Sequence, residues 1–295
     1  MYIMRELIIL DCHEIKCPLV LLYVFKDFAG YFRRNNYNVK IVNNITELHN
    51  DSIVLMGDSF NCDNPVNLLK SIAPNAIYIG WYWHNINTDE LQYFIYTYEN
   101  MLNIHYDINR VNNLIKIRSF KNNIPFLLRA DEDPLLVGSY EKNILYDFCY
   151  MGCRYCEHLV PQNFKGFYHV VFDHIYYFDY ETRKKNYLSS LFALGFQSDE
   201  GIVSQHVSQR IFEGLTYGCI VLSNSLAACE QTNNIVIHVS TREEIEEIMT
   251  YYINNPELAE KKRKEGYEFS KKFGTNQLSA QNFINLIQEK FDIVI

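Results

Sequence analysis

Short apolar runs recur along the chain, and longer segments whose apolar positions fall at helical spacing separate them. A run that is apolar at every position suits a strand buried on both faces. The amphipathic segments between such runs must then supply the cover, so the pattern commits the chain to parallel βα units. In the first half the strands are expected at Leu7–Cys12, Tyr37–Val42, Ser52–Met56 and Ala76–Trp83, with shorter ones at Ile104–Ile108 and Phe126–Leu128. A helix is expected over Pro18–Arg34, with proline in its first turn and Arg33 and Arg34 against the negative end of its dipole, and another over residues 88–100.

The rhythm breaks once. Residues 126–144 contain Asp131-Glu132-Asp133-Pro134 and Gly138, the punctuation of a linker. It then restarts with strands at Phe148–Gly152, His169–Phe172, Ser190–Phe196, Cys219–Ser223 and Asn234–Val239. A helix over Ser204–Tyr217 closes at Gly218, and Thr241-Arg242-Glu243-Glu244 reads as a capping box. Leu258–Lys272 and Gln277–Lys290 are amphipathic helices that finish the chain. The 295 residues therefore divide into a Rossmann-like domain over 1–125, a linker over 126–144 and a second Rossmann-like domain over 145–295. The fold class is α/β, with two such domains expected to face each other across a cleft.

Open parallel sheets bind ligands beyond the carboxyl ends of their strands, and the formal net charge of −8 narrows what those ligands are. It speaks against a nonspecific nucleic-acid binder, which needs a basic face, and leaves room for a nucleotide held by a few donors. The opening residues carry Glu6 and Asp11 and do not suit a secretory signal. Leu19–Phe25 is far shorter than the ~20 residues that span a bilayer. The expectation is a cytoplasmic protein, at most peripheral to a membrane, with no transmembrane segment.

The most informative stretch is Ser208-Gln209-Arg210-Ile211-Phe212-Glu213, continuing through Gly218 to Leu222-Ser223-Asn224. It resembles the R-x-F-E-x-x-x-x-G-x-x-x-L-S/T segment in the C-terminal domain of GT-B glycosyltransferases, most closely the group similar to CgeB. Thr241-Arg242-Glu243-Glu244, Tyr251 to Glu257 and Lys264-Glu265-Gly266-Tyr267 are similar to the same families, so the likeness covers about residues 145–290. It implies a sugar moved from a UDP-, GDP- or other nucleoside diphosphate sugar to a hydroxyl of a glycan or glycoconjugate. No other cofactor and no metal are implied. Glu213 would hold the ribose diol, because a carboxylate accepts two hydrogen bonds. Arg210, one turn earlier, would present its forked donors to the diphosphate.

Gly152 would let the backbone pass close to the ligand, Arg154 would add a cation, and Ser204 and Ser208 lie at the same site, where the start of the helix near Ser204-Gln205 offers free amides. Many GT-B enzymes carry a second glutamate eight positions before the ribose-binding one. Gln205 stands there, so the stereochemistry tied to that pair is not implied. A base for the acceptor hydroxyl would come from strand ends of the first domain, where Asp58 and His84 qualify.

Other readings compete. Arg210 and Glu213, three apart on a helix, could equally form a surface ion pair worth ~0.3 kcal/mol. Cys149, Cys153 and Cys156 have the C-x3-C-x2-C spacing that resembles the cluster motif of radical SAM enzymes. A nucleotide- or sugar-binding protein without catalysis would use the same donor-site residues.

Overall fold

Strands β1 (Glu6–Leu10), β2 (Val39–Val42), β3 (Ser52–Gly57), β4 (Ile77–Tyr82), β5 (Met101–His105) and β6 (Asn123–Pro125) form one sheet in the order β2-β1-β3-β4-β5-β6, parallel throughout. The computed structural model describes residues 5–10, 29–57, 65–82, 101–105, 123–125, 142–152, 154–170, 180–203, 205 and 207–293. The strands hold the apolar runs read from the sequence, and Leu7, Ile8, Ile9, Ile53, Val54 and Leu55 are fully buried, as strands covered on both faces must be. Two short strands lie three residues earlier than expected, at Met101–His105 and Asn123–Pro125. β6 is the edge of the sheet, where the missing amide of Pro125 costs no ladder bond. The expected helices over residues 18–28 and 88–100 lie outside the described residues; residues 29–34 are helical.

The second sheet holds β7 (Tyr146–Gly152), β8 (Gly166–Val170), β9 (Ser190–Leu194), β10 (Ile220–Ser223) and β11 (Ile237–His238) in the order β11-β10-β9-β7-β8, again parallel. In chain order within their sheets, both arrangements run second, first, third, fourth, fifth. Each therefore has its topological switch point between its first and third strands, β1/β3 and β7/β9. The intervening helices are α1 (Pro65–Ile72), α2 (Tyr180–Leu188), α3 (Asp199–Val203), α4 (Gln209–Thr216), α5 (Leu226–Gln231), α6 (Arg242–Asn254), α7 (Pro256–Phe273) and α8 (Asn276–Phe291). The capping box before α6 forms: Thr241 accepts from the Glu244 amide and Glu244 accepts from the Thr241 amide.

The chain divides into Met1–Leu127 with Ser279–Ile295, and Leu128–Leu278. The sequence reading ran the second domain to residue 295, whereas the residues of α8 from Ser279 onward belong with the first unit. The apolar face of α8 is the reason. Ala280, Phe283, Ile284 and Ile287 recur at helical spacing and are buried, and the Phe283 ring meets Phe32 edge-on at 6.1 Å. The described core of the first unit gathers Ile8, Leu10, Val54, Leu69 and Tyr78. That of the second gathers Phe148, Tyr150, Phe192, Phe196, Leu222 and Ile245. Among the described residues no helix is long and apolar enough to cross a membrane.

Candidate functional site

The expected helix over Ser204–Tyr217 is shorter, and only α4 (Gln209–Thr216) lies within it. α3 ends at Val203, Gln205 turns the chain with φ 57°, and α4 starts at Gln209 behind an N-cap at Ser208. The helix start that a ligand could meet is therefore at Gln209, not near Ser204. Ser208 Oγ accepts from the Arg210 amide at 3.3 Å, which satisfies one amide of the first turn.

The other end of α4 is held just as firmly. Gly218 takes φ 66°, the left-handed conformation that ends a helix without strain. The carbonyl of Tyr217 accepts from Lys142 Nζ at 3.0 Å and that of Gly218 from Arg263 Nε at 2.8 Å. Two cations thus meet the negative end of the helix dipole. Lys142 also donates to the Tyr187 carbonyl (2.9 Å) and to Cys219 Sγ (3.1 Å), and burial pushes its amine down from the usual lysine range. These contacts fix the helix that carries Arg210 and Glu213.

Arg210 reaches the switch point of its sheet. Its Nη1 donates to the Met151 carbonyl near the end of β7 (2.8 Å) and its Nη2 to the Phe196 carbonyl just past β9 (3.3 Å), while Nε donates to Ser208 Oγ (3.1 Å). Three of the five N–H groups of a guanidinium are thereby used. The other two have no hydrogen-bond partner among the described residues. Gly152 makes this seat possible, because a Cβ there would stand 2.6 Å from Arg210 Nη1 and from the end of the Tyr150 ring.

Glu213, one turn further along α4, is 2% exposed. Neither carboxylate oxygen has a hydrogen-bond partner among the described residues. Arg183 on α2 stands with Nη2 3.3 Å from Oε1, within ion-pair distance but without hydrogen-bond alignment. A buried charge without donors is costly, and native proteins keep such groups where a ligand completes them. The surface ion pair between Arg210 and Glu213 is thus excluded: Arg210 is committed to strand-end carbonyls, and Glu213 is buried and faces Arg183.

A cleft of about 600 Å³ opens beyond the carboxyl ends of the same sheet, lined by Tyr155, His158, Leu159, Gln197, Asp199 and Asn224 among others. Its size suits a small-molecule ligand. The main chain of Gln197 is clamped by Asn224, whose Oδ1 accepts from the Gln197 amide (2.7 Å) and whose Nδ2 donates to its carbonyl (2.9 Å). The side chain is 5% exposed and its Nε2 has no partner among the described residues. The forked cation offers an anion seat and the buried carboxylate an acceptor pair for a diol; neither lines the cleft, whose wall holds Gln197.

The structure therefore brings Gly152, Ser208 and Arg210 into direct contact and sets Glu213 one turn away. Arg154 lies in a 3-10 turn, Arg154–Leu159, with its side chain outside the described residues, and Ser204, Asp58 and His84 also lie outside them. Sequence does not single out Arg183, and it points to Gln197 only as the residue that opens a strand end, where open sheets bind ligands. Arg183 sits in a charged string that reads as a solvated face, and Gln197 carries no motif.

The cysteine reading fails on sheet geometry. Phe148 and Tyr150 of β7 pack in the same core as Cys156. Cys149, between them, points to the opposite face of the strand, among Lys142 and Cys219. Its thiol donates to the Phe192 carbonyl and that of Cys156 to the Gln197 carbonyl. Two thiols on opposite faces of one sheet cannot share a cluster; Cys153 lies outside the described residues.

Residues 138–285, half of the chain, match a family described as glycosyl transferase-like. No curated protein sequence matches significantly. Among solved structures, the chain is similar to an alpha-glucosyltransferase in complex with UDP-glucose and DNA containing an abasic site, with a TM-score of 0.64 at 11% identity, over 96% of this chain and 98% of that one. It is also similar to a glycosyltransferase from Rickettsia africae ESF-5, with a TM-score of 0.60 at 12% identity over 98% and 99%. An alpha-glucosyltransferase in complex with UDP and a 13-mer DNA gives a TM-score of 0.53 at 11% identity over 96% and 99%. At such identities the likeness is one of fold, the GT-B architecture.

Proposed function

The chain belongs to the glycosyl transferase-like family, and from that membership we propose that it takes a sugar from a nucleoside diphosphate sugar and places it on a hydroxyl of a glycan or glycoconjugate. The observation that carries the donor assignment is the Glu213 carboxylate, buried and without a hydrogen bond among the described residues, one helical turn from a guanidinium at the switch point of the sheet. A ribose diol would fill both oxygens. The diphosphate would take the two remaining donors of Arg210, beside Gly152 and the capped start of α4. The base would enter the cleft, where Gln197 Nε2 could donate to a ring carbonyl.

In this reading the leaving diphosphate is stabilised by Arg210, by Arg154 and by the helix start, without a metal. Asp58 and His84 are the proposed bases. Asp58 directly follows β3 in the chain and His84 follows two residues after β4, neighbouring parallel strands. Two of the similar structures hold DNA. The net charge of −8 favours an uncharged acceptor here.

A thermal-shift screen against UDP, GDP, CDP and their sugar conjugates tests the reading, starting with the uridine compounds. A ligand that binds only the folded chain raises its melting temperature. One diphosphate should stabilise the wild type, and Glu213→Ala should weaken that nucleotide by about tenfold or more while the protein stays folded. Equal affinity in the variant would remove ribose from Glu213. No shift with any nucleotide would remove the donor site altogether.

A further inference from the structure

We infer that Arg183 is a positioning residue of the donor site: it compensates the Glu213 carboxylate and turns it toward a ribose diol without using up its acceptor sites. The inference rests on the ribose reading of Glu213. The geometry separates this pair from the structural ion pairs nearby. Arg263 Nη1 donates to Glu260 Oε2 at 2.6 Å, a closed hydrogen bond to a half-exposed carboxylate. Arg183 stands 3.3 Å from a carboxylate that is all but sealed, and neither oxygen is hydrogen-bonded among the described residues. The charge is compensated while the lone pairs stay open. A buried carboxylate is costly without a compensating cation, and a cation that stands beside it without a hydrogen bond leaves its oxygens for a diol.

The neighbourhood agrees. Among the described residues, the charged and titratable groups facing Glu213 include Arg183 and Tyr187 on α2 and Arg210 on its own helix. Burial first, and then the negative charge of Glu213, push the Tyr187 phenol well up, against the opposing pull of Arg183 and Arg210. Arg183 also comes from a separate element, with its side chain 22% exposed. The docking of α2 beside α4, visible in the stacked Tyr187 and Tyr217 rings 5.6 Å apart, delivers it to the site.

The experiment compares affinities for UDP, GDP and CDP with those for their 2′-deoxy counterparts, in the wild type and in Arg183→Gln, Arg183→Lys, Glu213→Gln and the double variant Arg183→Gln/Glu213→Gln. A residue that only stabilises the fold would lower both affinities together, so the ribose-to-deoxyribose ratio is the readout. The wild type should prefer the ribonucleotide by about tenfold. Arg183→Gln should bring the ratio close to one, Arg183→Lys should restore part of it, and the double variant should be no worse than Glu213→Gln alone. A wild-type ratio in folded Arg183→Gln overturns the inference. If that variant does not fold, Arg183→Lys decides: an intermediate ratio supports the role and an unchanged one overturns it. A wild type without any ribose preference instead defeats the ribose reading itself, and that result is visible before any Arg183 variant is made.

Discussion

The two sheets share one strand order and differ in what they bury. In the first unit the core cluster beside β1 and β3 is Ile, Leu, Val and Ala with Tyr78, whose hydroxyl is satisfied by the carbonyls of Leu69 (2.9 Å) and Ala73 (2.8 Å). In the second, the same topology encloses Glu213, Arg263, Gln197 and Asn186, and three of these four keep polar atoms without hydrogen-bond partners among the described residues. Topology sets where a ligand could sit, at a switch point beyond the strand ends. Polar burial tells which of the described strand ends is equipped to hold one. The second unit accepts an expensive interior, and α4, anchored at both ends, is what makes that interior specific.

The largest way to break this contrast is at Lys142. Its amine meets two carbonyls and the Cys219 sulfur at the foot of α4. Burial would raise the Cys219 thiol, but its hydrogen bond with Cys149 and the nearby Lys142 amine outweigh that and bring it down. Lys142→Ala removes one side of a buried charge-assisted network and should cost about 3–5 kcal/mol. Hydrogen exchange should rise across residues 128–278 and stay near wild type in β1 to β4. A loss spread evenly over both units would show that the interior of the second is not what α4 depends on.

Gly152→Ala comes next and strikes the site itself. The added methyl would stand 2.6 Å from both the Arg210 guanidinium and the Tyr150 ring. Overpacking of this kind costs about 1–3 kcal/mol, and the displaced guanidinium should weaken the nucleotide by about tenfold. Calorimetry and titration on the same sample separate the two effects. Unchanged nucleotide affinity would detach Arg210 from the diphosphate.

Much of this arrangement is legible in the sequence, for physical reasons that differ by element. Strands buried on both faces read as continuous apolar runs, so β1, β3, β7 and β9 fall within a few residues of their expected places. The edge strands β6 and β8, and β5 beside β6, carry a weaker signal and lie about three residues away. β11 shrinks to Ile237–His238 because Asn233 and Asn234, both at positive φ, use the preceding residues for a turn. The start of α4 is not fixed by sequence, because Ser204 offers the same capping chemistry as Ser208 and nothing local foretells the turn at Gln205. Arg210 and Glu213 were legible because their spacing within one helix is a local fact. Arg183 was not, because its role exists only once α2 has docked beside α4.

The smallest test lies in the apolar unit and sharpens the comparison by leaving the site alone. Burial pushes the Tyr78 phenol from 10.0 up to about 12, so folding favours its neutral form. The sign follows from linkage: this contribution is fully present below the unfolded value near 10 and is lost as the pH rises through about 12. Tyr78→Phe should cost about 1 kcal/mol at neutral pH, the usual worth of a satisfied buried hydroxyl. It should also flatten the alkaline fall in melting temperature between those two values. Nucleotide affinity should not change, because Tyr78 belongs to a core that the donor site does not use. An unaltered alkaline profile would mean that another group governs it. A nucleotide affinity that falls with the hydroxyl would mean that the first unit, for all its apolar interior, shapes the donor site as well.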